Sequence, residues 1–206
     1  FTKFSDINSE RFGITIIELN HENVEIATMR EDSNTSIDSR HPDSVKFVKN
    51  INSDAKRRDF TINALYEDID GNILDPLGTG IEDINNGILR FVGEPKDRLE
   101  EDNLRLLRLF RFLATKRTKS GNRFEIDSFT VGAIDALASI SFSKGKSLLE
   151  VVSPERVGQE VRKLLGGDFA AETLRIMDDM VGLQIIVPNW NDMKVCKQNP
   201  KWHSEG

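Results

Sequence analysis

Apolar positions alternate with polar ones early in the chain and recur at helical spacing later, and that change of period divides the sequence. Residues 12–19, FGITIIEL, and 23–29, NVEIATM, carry the strand pattern, with Asn20-His21-Glu22-Asn23 as the turn of a hairpin. In the second strand Val24, Ile26 and Thr28 share one face, and Glu25 points the other way beside Ala27. Residues 30–54 are polar, aperiodic and interrupted by Pro42, which predicts a long loop of the kind that often carries function. KRRDFTINALYEDIDGNILDPLG follows, with a short helix in its first half and two brief strands, LYE and NILD, around the turn Asp70-Gly71. Pro76, Gly78 and Gly80 stop regular structure, a helix over 81–87 ends at Gly87, and ILRFV at 88–92 is a further strand.

From Asp97 the pattern turns helical. Asp97-x-x-Glu100 reads as a helix start, and EEDNLRLLRLFRFLATKR interleaves Leu and Phe with Arg as one amphipathic helix. Residues 127–140, 154–165 and 169–182 predict three more helices, the second opened by Ser153-Pro154-Glu155. The tail from Asn189 is polar and is expected to fray. The expected fold class is therefore α+β. A small mixed or antiparallel sheet with helices spans residues 1–96, an all-helical part spans 97–188, and 189–206 form a polar tail.

Composition narrows this picture. Apolar residues make up 38% and include 12 Phe, enough for an aromatic-rich core. No stretch approaches the ~18 uncharged apolar residues of a membrane span. Cys196 is the only cysteine, which excludes an internal disulfide and a cysteine-based metal cluster and makes a reducing, cytoplasmic compartment the expectation. The chain opens Phe1-Thr2-Lys3, with neither a Met nor a signal-peptide pattern, so a missing upstream segment is expected. The net charge of −6 argues mildly against a polyanionic partner, but residues 104–163 hold twelve basic against six acidic residues. One basic segment inside an acidic chain suits a polyanion docked on one face.

Two groups of side chains carry candidate chemistry. Asp102 and Arg105 stand three apart, which on a helix places them on one face. A carboxylate accepts from an exocyclic amino group and a guanidinium donates to a ring nitrogen or carbonyl. Cytosine and adenine present that amino donor beside a ring acceptor, whereas uracil and guanine put a carbonyl in its place. A fixed Asp–Arg pair would admit C and A and repel U and G; an exposed face laced with salt bridges has the same spacing. Arg57-Arg58-Asp59 pairs guanidinium forks suited to phosphate with a carboxylate suited to a ribose hydroxyl. By itself, a surface basic cluster explains that run equally well.

Glu25 in VEIATMR, RRDFTINA at 57–64, DPLG, DINNGILR and EDNLR occur in this order, and the combination resembles the class II tRNA nucleotidyltransferases. These are the CCA-adding enzymes and their relatives, the bacterial poly(A) polymerases. The resemblance runs from about Phe12 to Pro188. It implies a small nucleotidyltransferase head followed by a helical neck and body that cradle a tRNA acceptor arm. It implies that Asp102 and Arg105 read the incoming CTP or ATP, with Arg108 and Arg111 reaching the nucleotide or its phosphates. Arg58 would contact the triphosphate, Asp59 and Asn63 (one face of a helix) the sugar, and Glu25 would be a third carboxylate beside the metal pair. Lys116, Arg117, Lys119, Lys144 and Lys146 would hold the tRNA backbone. Residues 30–49 correspond to a loop that the family uses in switching from C to A addition, with Arg40-His41-Pro42 resembling its end.

The chain departs from the family in one respect. The Gly-Gly and Asp-x-Asp element that binds Mg²⁺ should precede FGITI, and the eleven residues there hold only Asp6-Ile7-Asn8. No metal ligand is therefore assigned. The Asp pair is expected on a missing N-terminal segment or a second polypeptide. The expectation is thus part of a CCA-adding enzyme acting on the tRNA 3′ end. The alternatives are a poly(A) polymerase or A-adding relative, and a catalytically inactive RNA-binding subunit.

Overall fold

The computed structural model describes residues 2–4, 13–33, 44–143, 149 and 152–197, and the chain divides into two compact units, Phe1–Asp102 and Asn103–Gly206.

The first unit begins with an antiparallel sheet in the order β1 (Thr2–Phe4), β2 (Ile14–Leu19), β3 (Glu22–Ala27). Asn20 and His21 have φ of 54° and 66°, so they alone form the hairpin loop. Two left-handed residues give a turn whose twist matches the strands, which draws Glu22 and Asn23 into β3. Glu25 lies opposite Ile16, and β3 is exposed along its whole length, Val24 and Ile26 included.

The described parts of residues 30–54 hold regular structure where a loop was expected. β4 (Arg30–Ser33) pairs antiparallel with β5 (Ser44–Phe47), placing Glu31 opposite Lys46. Helix α1 (Ile51–Lys56) follows, with Asn50 at its N-cap accepting from the Asn52 N–H at 2.9 Å. β4 has no apolar residue and β5 only Val45 and Phe47, too short an alternation for a hydrophobic-pattern reading to find.

The helix expected within RRDFTINA ends before that motif begins. Arg57 is its C-cap, and Phe60 is extended and bridges Phe91. The Thr61 N–H donates to the Arg90 carbonyl and the Val92 N–H to that of Asp59, both at 3.0 Å. Thr61–Asn63 form a single 3-10 turn, so Asp59 and Asn63 do not share a helical face. The Phe60 and Phe91 rings stack with centroids 4.9 Å apart and both are buried. Ala55, Ala64 and Val92 pack as a core cluster beside them, with Tyr66 and Leu77 against it.

β6 (Tyr66–Glu67) and β7 (Ile73–Leu74) form the small hairpin expected around Asp70-Gly71. In the DPLG turn, Asp75 accepts the N–H groups of Gly78 and Ile81, each at 3.0 Å, and so steadies the start of α2 (Gly80–Asn86). A Cβ on Gly80 would lie 2.6 Å from the Thr61 carbonyl oxygen, so this close approach admits only glycine. Asp83 on α2 is buried and accepts from Thr61 Oγ1 at 2.6 Å and Arg90 Nε at 3.0 Å. The Asp and Arg of DINNGILR thus tie α2, the strand β8 (Ile88–Leu89) and the turn after RRDF to one another.

α3 (Pro95–Glu101) begins at Pro95 rather than at an Asp97 cap, with Asp97 in its first turn. It then stops. Asp102 is extended, with φ −149° and ψ 105°, and Asn103 caps a new helix, α4 (Leu104–Thr115). The continuous helix expected across EEDNLRLL is therefore two helices with a break at Asp102. Asp and Asn favour caps over helix interiors because their side chains compete for backbone hydrogen bonds.

In the second unit α4 is buried on most of its surface, through Leu104, Leu106, Leu107, Leu109, Phe110 and Leu113 among others. It packs on α6 (Pro154–Leu165) and α7 (Ala170–Val181). Between α4 and α6 lie the short strand β9 (Glu125–Ile126) and α5 (Ser128–Ser143). The Phe169 N–H donates to the Ala114 carbonyl at 3.0 Å, closing the end of α4 onto the start of α7. The tail expected to fray includes α8 (Trp190–Val195). Asp178 on α7 accepts from Trp190 Nε1 and Lys194 Nζ, both at 2.9 Å, and fastens it. No helix among the described residues is long and apolar enough to cross a membrane.

Candidate functional site

Asp54 on α1 is fully buried and organises the residues around it. Its Oδ1 accepts from the Arg30 N–H at 3.1 Å and from Arg57 Nε at 2.8 Å. Its Oδ2 accepts from Tyr66 Oη at 2.7 Å and from Arg58, at 2.8 Å from Nη2 and 3.2 Å from Nε. Burial pushes this carboxyl up, but the hydrogen bonds from Tyr66, the Arg30 backbone, Arg58 and Arg57 outweigh it and hold the group well below the usual carboxylate range. Burial alone would lower Arg58; the ionised Asp54 raises it instead. Asp54 and Arg58 therefore hold each other in their charged forms.

Such a carboxylate has a signature in acid. A depressed folded pKa contributes stability that is complete above the unfolded value of about 3.9 and is lost as pH falls through the folded one. Asp54→Asn should be less stable than the parent at pH 7, and the gap should narrow as pH drops below about 4. Chemical denaturation at neutral and acid pH measures it. A gap that stays constant would mean that Asp54 is not the ionised hub.

The two arginines are placed differently. Arg57 donates from Nε to the Arg30 carbonyl at 3.2 Å as well as to Asp54, and its side chain is only 18% exposed. Arg58 lies over the Tyr66 ring with its side chain 37% exposed. Arg98 on α3 donates to the carbonyls of Arg57 and Arg58 at 3.0 and 2.9 Å and fixes the backbone that carries them. Asp59 is half-buried next to Arg58. Asn63 is exposed, and its Oδ1 accepts the Phe60 N–H at 3.0 Å. Arg58, Asp59 and Asn63 thus lie on one short segment, whereas Glu25 stands exposed on the β2–β3 hairpin.

Asp102 is the half-buried extended residue that closes the first unit, and Arg105 lies half-buried in the first turn of α4. Their spacing is set by a helix break, not by a shared helical face. Arg108 and Arg111 follow Arg105 along α4 and both meet Glu160 of α6, which is 7% exposed. Arg111 Nε lies 2.5 Å from Glu160 Oε2 and Arg108 Nε lies 3.8 Å from Oε1. Lys116 is exposed and reaches over the Phe112 ring, Arg117 pairs with Asp168, and Lys119 is exposed. Lys144 and Lys146 lie outside the described residues, as do residues 34–43 of the 30–49 loop, Arg40-His41-Pro42 among them.

Sequence reasoning passed over Asp54, Tyr66, Arg98 and Glu160. Asp54 had one visible signal, because it stands three and four residues before Arg57 and Arg58, the spacing of helical ion pairs. The described residues do not fit a divalent-metal site, since no three His, Cys, Asp or Glu side chains among them converge.

Residues 2–90 match the family described as the poly A polymerase head domain, and residues 123–194 match the probable RNA and SrmB-binding site of polymerase A. The CCA-adding enzyme of Streptococcus gordonii is 38% identical over 82% of this chain and 38% of its own length. That of Geobacillus thermodenitrificans is 38% identical over 91% of this chain and 42% of its own. The crystal structure of the Bacillus stearothermophilus CCA-adding enzyme in complex with CTP superposes with a TM-score of 0.66 at 34% identity, covering 82% of this chain and 37% of that one. The chain therefore spans about two-fifths of the length of these relatives. With both domain matches in order, relatives at 38% identity and a similar head fold, this chain belongs to the class II tRNA nucleotidyltransferase and bacterial poly(A) polymerase family.

Proposed function

We propose that these residues form the nucleotide-selecting head and neck of a CCA-adding tRNA nucleotidyltransferase. In that reading Arg58 binds the triphosphate of CTP or ATP, Asp59 and Asn63 meet the ribose, and Asp102 with Arg105 reads the base. Glu25 adds a carboxylate near the reacting 3′ end. The divalent metal that such transfer uses would be held by carboxylates from outside these 206 residues. The observation that carries the proposal is the Arg57-Arg58-Asp59 and Asp102-x-x-Arg105 pair of motifs in a chain 38% identical to CCA-adding enzymes.

The test is nucleotide incorporation into tRNA transcripts ending before CC, C or A. The 206 residues alone are expected to add nothing. Together with a polypeptide that supplies an Asp-x-Asp, they should add CTP and ATP in the order that each transcript requires. Addition of A alone would favour a poly(A) polymerase relative, and RNA binding without addition an inactive subunit. Robust CTP incorporation by the 206 residues alone would overturn the placing of the metal carboxylates.

The RNA backbone is assigned to Lys116, Arg117, Lys119, Lys144 and Lys146, within the one basic segment of the chain. Because Arg117 is engaged with Asp168, Lys116 and Lys119 should carry more of the effect. Lys116→Glu with Lys119→Glu should weaken tRNA binding and reduce the slope of log K against log salt by about one per lost phosphate contact. A salt slope equal to the parent's would place the RNA elsewhere.

A further inference from the structure

Two adjacent arginines share one carboxylate, and the second is the more exposed, at 37% of its side chain against 18%. Arg58 donates to Asp54 Oδ2 from both Nε and Nη2. That leaves its Nη1 edge and the outer N–H of Nη2 directed away from Asp54, a carboxylate that is 1% exposed. Arg57 is turned inward to the same carboxylate and to a backbone carbonyl. A second contact bears on the carboxylate itself: Tyr66 Oη donates to the same Oδ2, and its ring lies beneath the Arg58 guanidinium at 5.7 Å. A guanidinium anchored on a buried carboxylate by two of its N–H groups keeps its other donors in a fixed plane, an arrangement suited to an anion arriving from outside.

We propose that Asp54 is a positioning residue that aims the Arg58 fork at the phosphates of a nucleoside triphosphate, with Tyr66 fixing the plane of the carboxylate. This rests on Arg58 being the triphosphate contact. The predicted consequence is confined to phosphate. Asp54 touches neither base nor sugar in this scheme, so its loss should erode the preference for a triphosphate over a monophosphate of the same nucleoside.

The experiment measures Kd for CTP and for CMP, by calorimetry, on the complete polypeptide or assembly. Asp54→Asn should reduce the ratio Kd(CMP)/Kd(CTP) by roughly tenfold or more, the scale of a charged hydrogen bond. If Asp54→Asn does not fold, Tyr66→Phe decides. That variant keeps the ring under Arg58, removes one donor, and should lower the same ratio a few-fold at a nearly unchanged Tm. A merely structural role would weaken CTP and CMP by one common factor, and an unchanged ratio in the folded variants overturns the proposal. Arg58→Ala separates this from the reading beneath it. If Arg58→Ala lowers the ratio while the Asp54 and Tyr66 variants do not, Arg58 binds phosphate without being aimed by Asp54. If Arg58→Ala also leaves the ratio unchanged, the assignment of Arg58 falls, and the positioning role with it.

Discussion

Asp102→Ala, in the assembly that adds nucleotides, should relax the exclusion of UTP and GTP by about 10–100-fold while slowing addition of C and A. In the proposed reading the carboxylate rewards an exocyclic amino group and repels a carbonyl, so removing it weakens the reward and cancels the repulsion. Arg105→Ala removes the donor to the ring acceptor and leaves the repelling carboxylate in place. It should slow C and A addition without admitting U and G to the same degree. That asymmetry separates a base reader from a strut, because a salt bridge broken from either side lowers stability equally and leaves selectivity alone. Four-nucleotide incorporation rates for both variants, with their melting temperatures, provide the measurement. Equal loss of selectivity in the two variants, or none in either, would remove the pair from base choice.

Glu160→Ala should destabilise the second unit by about 3–5 kcal/mol, the usual cost of leaving buried charge without its partner. Glu160 is buried on α6 and meets both Arg108 and Arg111 of α4, so its loss removes a carboxylate shared by two guanidinium groups at the main packing face of that unit. Glu160→Gln, which keeps the shape and an acceptor, should cost less. The same pair of measurements examines the assignment of Arg111 to the nucleotide. If Arg111 serves the α4–α6 packing, Arg111→Ala lowers the melting temperature and leaves CTP affinity unchanged. A loss of affinity at constant stability would return Arg111 to the nucleotide. Urea unfolding and CTP titration on the same preparations distinguish the outcomes.

The elements that were legible in the sequence are those written in apolar period or in strong punctuation. The helix at Pro154–Leu165 was bounded by Ser153-Pro154 and its apolar spacing, and the β6–β7 hairpin by Asp70-Gly71. What escaped was written in polar residues. β4 holds no apolar residue, β5 only Val45 and Phe47, and α1 a single large apolar residue, Ile51, so the stretch read as loop. The break at Asp102 lay inside a run, EEDN, whose residues suit a helix start as readily as a helix interior. The candidate site divides along the same line. Arg58, Asp59, Asn63, Asp102 and Arg105 were named through a family resemblance carried by motifs visible in the sequence. Asp54 and Glu160 point inward, and their importance lies in partners brought together by the fold: Tyr66 and Arg30 for one, Arg108 and Arg111 for the other.

Arg30 is gripped through its peptide groups, with its N–H on Asp54 and its carbonyl on Arg57. An anchor of that kind is indifferent to the side chain it holds, proline apart, since proline alone lacks the N–H. In this contact, position 30 can drift through most of the amino-acid alphabet, while positions 54 and 57 must supply one acceptor and one donor. The strand that begins there can therefore vary in sequence, and the segment beyond it in length, without dragging the arginine pair out of place. An anchor of this kind separates the sequence at position 30 from the placing of Arg57.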